Sequence, residues 1–181
     1  MIYLKRVSLL FAASAFVLLT GLRANVFPVD KVVSNQAKED YSISTPMVYD
    51  DEAIMRFVDE MNLNTPYYYG TGIVVSSVTL DQNNINVNSN CSPLIGMGLA
   101  YVTNNDIENS KQQVALLLYQ AMESMEPDVN GNKFLGVLID KNMVFNYNYY
   151  VQGASTPACV IKITAEYIER VGNIEKNGYY I

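Results

Sequence analysis

The stretch that decides the fold is residues 143–164, Met-Val-Phe-Asn-Tyr-Asn-Tyr-Tyr-Val-Gln-Gly-Ala-Ser-Thr-Pro-Ala-Cys-Val-Ile-Lys-Ile-Thr. Apolar or aromatic side chains occupy every second position from Met143 to Val151, and Asn146 and Asn148 lie between them. A period of two is typical of a strand that has one buried face and one face in water. The first half of the stretch is therefore predicted to be a half-buried strand.

The second half of the stretch repeats this alternation. Cys159, Ile161 and Ile163 lie at every second position, and the residues between the two halves include Gly153 and Pro157. Glycine and proline favour turns, because glycine tolerates unusual backbone angles and proline fixes its own. The stretch is therefore predicted to form an antiparallel hairpin.

A second hairpin is predicted at residues 73–91. Residues 73–80 are β-branched or small, residues 81–84 are turn formers, and apolar residues then alternate with Asn86, Asn88 and Asn90. Asparagine is a poor strand former, so burial of the other face has to outweigh its propensity. Amides on such a face can bind a sugar or a peptide, although the same bias is also typical of genome composition.

Two helices are predicted to cover the apolar face of these hairpins. The first spans residues 50–62, with acids in its first turn and an apolar stripe at helical spacing. The second spans residues 107–125. Residues 134–139 are either a short helix or a strand, and the helix is preferred. Residues 92–103 are apolar but contain two glycines, which leaves a short strand and a packed loop as alternatives. The predicted fold class is α+β, with a mainly antiparallel four-stranded sheet of two hairpins and helices on one face.

The N-terminal residues 1–24 have the layout of a secretory signal peptide. Lys5 and Arg6 form a basic start, residues 7–22 are almost wholly apolar, and Ala24 offers a small residue for cleavage. An uncleaved membrane anchor is the alternative. The apolar run is shorter than the roughly 20 residues that a membrane span requires. Cleavage is therefore the preferred interpretation.

The remaining chain divides into two parts. Residues 25–47 have no sustained periodicity and several turn formers, which predicts an extended arm. Residues 48–181 then form the α+β domain. With a signal peptide at the start, the expected location is the periplasm or the cell exterior.

The charge of the chain restricts its partners. The 181 residues carry 18 acids and 12 bases, and removal of residues 1–24 changes the net charge from −6 to −9. A negative surface repels phosphate backbones and anionic membranes, so we expect no nucleic-acid binding and membrane contact only through the signal segment. A protein partner, cationic if charge selects it, is the remaining expectation.

The residue types present restrict the chemistry. The chain has no histidine, which excludes triads with a histidine base and histidine-ligated metals. No phosphate loop, nucleophile elbow or metal-ligand motif is found, so we expect no cofactor, no metal and no catalytic residue of a recognisable kind. The two cysteines, Cys91 and Cys159, fall on the apolar sides of different strands and are predicted to form a disulfide in an exported protein.

Three consecutive tyrosines are the candidate interface. Tyr67, Tyr68 and Tyr69 cannot all point inward, and an exposed tyrosine is common where proteins meet. The predicted function is a non-catalytic binding protein of the bacterial cell envelope or exterior. Two alternatives remain, namely a small hydrolase that uses Asp or Glu, and an inhibitor or immunity-like protein that blocks a cationic enzyme.

Overall fold

A computed structural model describes residues 48–63, 65–69, 72–99 and 101–178 of the chain. The predicted signal peptide at 1–24 and the predicted arm at 25–47 lie outside the described residues. The backbone of Tyr69 is described, but its side chain is not.

The described residues form five helices and five strands in an α+β arrangement. In chain order these are α1 (Asp51–Leu63), β1 (Tyr67–Tyr69), β2 (Ile73–Asp81), β3 (Asn84–Cys91), α2 (Pro93–Leu99), α3 (Asn104–Glu123), α4 (Phe134–Asp140), β4 (Val144–Val151), β5 (Cys159–Thr164) and α5 (Ala165–Lys176).

The strands form one mixed sheet in the order β1-β2-β3-β4-β5. Both predicted hairpins are confirmed as the antiparallel pairs β2–β3 and β4–β5. The predicted sheet is confirmed as mainly antiparallel, since three of the four described strand pairs are antiparallel, but it is mixed and has five strands instead of four. Tyr67–Tyr69 adds a fifth strand beside β2, and β3 pairs with β4 in parallel.

The parallel pair has a physical cause in the connection between the hairpins. Three helices lie between the end of β3 and the start of β4, and they return the chain to the end of the sheet where β3 began. A parallel pair requires such a long crossover, whereas a tight turn joins antiparallel strands only. Sequence periodicity defines each strand but carries no information about the direction of its neighbour.

The core lies between one face of the sheet and the helices. The alternating residues Ile85 and Val87 of β3, Phe145 and Tyr147 of β4, and Ile161 of β5 are buried there. Phe57 of α1 and Phe134 of α4 join them, with ring centroids 5.0 Å apart. Burial of these side chains supplies the main stabilisation of the fold.

Two helices differ from the sequence expectations. Residues 92–103 contain α2 rather than a strand or a loop, and Gly96 lets this helix approach the side chain of Val151 closely. Helix α5 was not predicted at all. A signal for α5 is present, because the Thr164 side chain caps it by accepting a hydrogen bond from the Tyr167 N–H.

A buried carboxylate fastens the segment before α1 to the loop between α3 and α4. The Asp128 carboxylate accepts hydrogen bonds from the backbone N–H groups of Tyr49, Asn130 and Asn132 and from the Asn132 amide, at 2.8–3.1 Å. Burial acts to raise the pKa of Asp128, but these hydrogen bonds outweigh it and lower the pKa to about 2. This loop is therefore held by its own aspartate.

Helices α3 and α5 are in contact through a glycine. A side chain added at Gly172 of α5 would collide with the ring of Tyr119 on α3. Beside this contact, Lys176 Nζ lies 2.5 Å from Glu123 Oε2 and 5.1 Å from the Tyr119 ring centroid. The close approach of the two helices depends on the absence of a side chain at position 172.

The first prediction concerns this helix contact. Gly172→Ala should lower the free energy of unfolding by about 1–3 kcal/mol, because overpacking forces the helices apart. Gly136→Ala in α4 is the matched control, since no atom lies within 4 Å of the added carbon. It should raise stability by up to about 1 kcal/mol through helix propensity alone. Urea unfolding followed by circular dichroism measures the free energy of unfolding of both variants. Equal effects of the two changes would contradict the close contact between Gly172 and Tyr119.

The second prediction concerns Asp128. In Asp128→Asn an amide N–H₂ replaces Oδ2 and faces the donors of Tyr49 and Asn132, so the variant should unfold more easily at pH 7. Because the folded pKa lies below the unfolded value of about 3.9, the ionised carboxylate stabilises the fold above that value. This stabilisation is lost as the pH falls toward 2. The difference in stability from the unmodified protein should therefore shrink between about pH 4 and pH 2.

Urea unfolding across this pH range measures the difference in stability between the two proteins. Asp59→Asn, at an exposed position of α1, is the control and should show no such trend.

Candidate functional site

The face of the sheet opposite the core is lined with polar side chains, and none of them belongs to the hydrophobic core formed by the described residues. We call it the open face. The strand register assigns to it Tyr68, Val74, Ser77, Thr79, Asp81, Asn84, Asn86, Asn88, Asn90, Val144, Asn146, Asn148, Tyr150, Val160, Lys162 and Thr164.

The asparagines of the open face form a ladder across β3 and β4. Asn86 pairs with Asn146, and Asn88 pairs with Asn148, in the parallel register. Asn146 Nδ2 donates hydrogen bonds of 3.1 Å to Oδ1 of both Asn84 and Asn86, and Asn148 Nδ2 donates one of 3.0 Å to Asn88 Oδ1. These bonds hold the amides in fixed orientations and offset the low strand propensity of asparagine.

Asn146 is the least exposed residue of the ladder. It retains 7 % of its exposure, and its Oδ1 atom has no hydrogen-bond partner in the described part of the chain. A buried acceptor without a partner costs about 1–3 kcal/mol. Lys162 lies directly opposite Asn146 on β5 and is exposed. The centre of the ladder therefore has one acceptor that a bound donor would satisfy.

The three tyrosines of the candidate interface lie on the edge strand β1, and the structure separates them. Tyr67 is half-buried and packs against the core, whereas Tyr68 is 76 % exposed and lies on the open face. The register places Tyr68, Val74, Asn90 and Tyr150 in one row across four strands. Sequence reasoning identified Tyr68 but not Tyr150, because only the register brings Tyr150 into this row.

The open face is nearly neutral. Asp81 and Lys162 are its charged side chains, and they lie on β2 and β5 with two strands between them. The rest of the face carries amides, hydroxyls, valines and two tyrosines. A ligand of this face is therefore not selected by its charge.

One cavity among the described residues lacks the pair of carboxyl groups that the hydrolase alternative requires. A cavity of about 280 Å³ lies where β4 begins and β5 ends, and Glu166 is the carboxyl group that lines it. Burial raises the pKa of Glu60, but this residue lies on α1 and does not line the cavity. A glycosidase needs two carboxyl groups on either side of the scissile bond. This cavity contains one.

The described residues contain no group of three or more acidic or cysteine side chains positioned to hold a metal ion. Within the same ranges, no helix combines the length and the apolar character that a membrane span requires.

The structure contradicts the predicted disulfide, because Cys91 and Cys159 are free thiols. Both point toward the core as expected, but β4 lies between their strands. Two strand spacings separate their Cα atoms by at least about 9.5 Å, whereas a disulfide requires less than about 7 Å. Burial, with a smaller contribution from Cys159, raises the pKa of Cys91 to about 11, so this thiol is unreactive at neutral pH.

Comparison with known proteins gives one distant structural similarity. No protein-family model matches the chain, and no curated protein matches it. Among solved structures, it is similar to a "putative secreted protein" from Pseudomonas aeruginosa, with 12 % identity and a TM-score of 0.45. The match covers 65 % of this chain and 90 % of the other.

The third prediction tests the free thiols. After unfolding in urea without a reductant, an alkylating reagent should add to both cysteines, which intact mass spectrometry detects as two adducts. The folded protein at pH 7 should react far more slowly, because Cys91 is buried. If the unfolded, unreduced protein takes up no reagent, the two cysteines are joined and the sheet order around β4 is wrong.

Proposed function

We propose that this chain is an exported, non-catalytic protein that binds its partner through the open face of the sheet. The observation that carries the proposal is the asparagine ladder with the buried, unpartnered oxygen of Asn146 at its centre. Buried polar atoms normally find partners, and exceptions tend to lie at sites where function outweighs local stability.

The layout of the sheet supports this proposal. All contacts of the described helices with the core are made from the other side, so a rigid sheet presents the ladder and the two tyrosines. Side chains on strands keep their spacing better than side chains on loops, which suits a preorganised binding surface. Export is inferred from the signal-like residues 1–24.

The net charge alone led to the expectation of a cationic protein partner. The open face does not favour that choice, because its two charged side chains have opposite signs. A cationic partner would contact a different surface of the protein. The inhibitor or immunity-like alternative therefore has no specific support from the site geometry.

The fourth prediction tests the proposed surface. The probes are immobilised uncharged polysaccharides, anionic polysaccharides and a peptide array. At least one class should bind the unmodified protein. Asn90→Arg adds a long charged side chain at an exposed position of the open face and should weaken binding by about tenfold or more. Gln113→Arg makes a comparable change at an exposed position of α3 and should leave binding unchanged.

Three results would contradict the proposal. They are the absence of binding to every probe class, equal binding by the unmodified protein and Asn90→Arg, and turnover of chromogenic ester or glycoside substrates by the unmodified protein. Thermal unfolding of each variant verifies that the added arginine leaves the fold intact.

A further inference from the structure

The hydrogen-bonding groups of the open face match a ligand that carries many hydroxyls. Each asparagine amide offers a donor and an acceptor side by side, and a sugar hydroxyl both donates and accepts. Asn146 Oδ1 is an acceptor without a partner among the described residues, and it requires a donor. A hydroxyl that donates to this oxygen would remove the cost of the unsatisfied atom.

The spacing of the ladder suits an extended ligand. Neighbouring strands lie about 4.8 Å apart, and alternate residues along one strand lie about 6.6 Å apart. The amides of Asn86, Asn88, Asn146 and Asn148 therefore form a regular grid of polar groups rather than a single pocket. A grid of this kind contacts several successive units of a chain molecule.

The tyrosines of the open face provide flat surfaces at one end of this grid. Tyr68 and Tyr150 lie in the same row with β2 and β3 between their strands, which places them about 14 Å apart. An aromatic ring with a polar hydroxyl packs against the C–H face of a sugar while its edge remains in water. Two such rings fit an oligosaccharide better than a single sugar unit.

One observation argues against a peptide at the β2 edge, and another argues against a polyanion. A peptide commonly adds to the edge of a sheet through backbone hydrogen bonds. At the β2 edge, beyond the three residues of β1, the Val78 N–H already donates to Asn62 Oδ1 at 2.9 Å. A polyanion would be repelled by the net charge, which is −6 for all 181 residues and −9 without residues 1–24, and the open face has a single base, Lys162, to attract it.

From these observations we infer that the ligand of the open face is an uncharged oligosaccharide. The asparagine ladder binds its hydroxyls, and Tyr68 and Tyr150 stack on its rings. This inference rests on the proposed binding function of the same face and names its ligand class.

The experiment compares the binding of uncharged and charged probes to the protein without its predicted signal peptide, residues 25–181. Dextran, mannan and a soluble β-glucan are the uncharged probes, alginate is the polyanionic probe, and an unstructured peptide library is the third class. Affinity electrophoresis measures binding. At least one uncharged polysaccharide in the gel should slow the migration of the protein, whereas alginate and the peptides should leave its migration unchanged. In ¹⁵N-labelled protein, the same polysaccharide should shift the side-chain amide signals of Asn146 and Asn148.

Two tyrosine variants provide a matched control. Tyr68 and Tyr101 are exposed to 76 % and 79 %, but only Tyr68 lies on the open face. Tyr68→Ala should weaken binding to the polysaccharide by about tenfold, and Tyr101→Ala should leave it unchanged. Asn146→Leu removes the unpartnered oxygen together with the Nδ2 group that donates to Asn84 and Asn86, and should weaken binding by a similar factor. Thermal unfolding verifies that this variant is folded.

The outcomes separate this inference from the proposed function. Binding of peptide or alginate, but of no uncharged polysaccharide, that Asn90→Arg abolishes would overturn the inference of an uncharged oligosaccharide and leave the binding function of the open face in place. Binding of an uncharged polysaccharide that neither Tyr68→Ala nor Asn90→Arg affects would overturn both. The absence of binding to every uncharged polysaccharide would overturn the inference.

Discussion

The in-register parallel pairing of β3 with β4 is the constraint on which the rest of the structure depends. Side chains alternate along both strands. At the centre of the pair the register aligns Ile85 with Phe145 and Val87 with Tyr147 on the core face, and it aligns two pairs of asparagines on the open face. A shift of one residue would move Phe145 and Tyr147 into water and bring the asparagines against the helices. The cost of burying those amides fixes the register.

This pairing also explains why the helices lie on one side. A parallel pair needs a crossover, and the crossover between β3 and β4 contains α2, α3 and α4. Contacts from these helices and from α1 and α5 cover the apolar face. The described elements leave the asparagine face uncovered, so one topological requirement produces both the core and the candidate binding surface.

The same residue types have different roles on the two faces. Tyr147 is buried in the core, where burial first and Tyr149 second raise its pKa far above the ordinary value. Tyr68 and Tyr150 lie on the open face, where Tyr68 is exposed and Tyr150 is half-buried. Among the polar groups, Asp128 is satisfied by four hydrogen bonds, whereas Asn146 Oδ1 has none from the described residues. Asp128 is therefore a structural residue, whereas the binding role that we propose for Asn146 rests on its unpartnered oxygen.

The sequence by itself determined the two hairpins, the helices near residues 50–62, 107–125 and 134–139, and the alternation that separates Asn146 from Phe145. These features depend on neighbours within a few positions, so local periodicity reveals them. The direction of β4 beside β3, the fifth strand, the separation of Cys91 from Cys159 and the joint row of Tyr68 and Tyr150 were decided only by the tertiary structure. Each of these features depends on which strands become neighbours in the sheet. The order of the strands is fixed by the long crossover and by core contacts between residues that are far apart in the sequence.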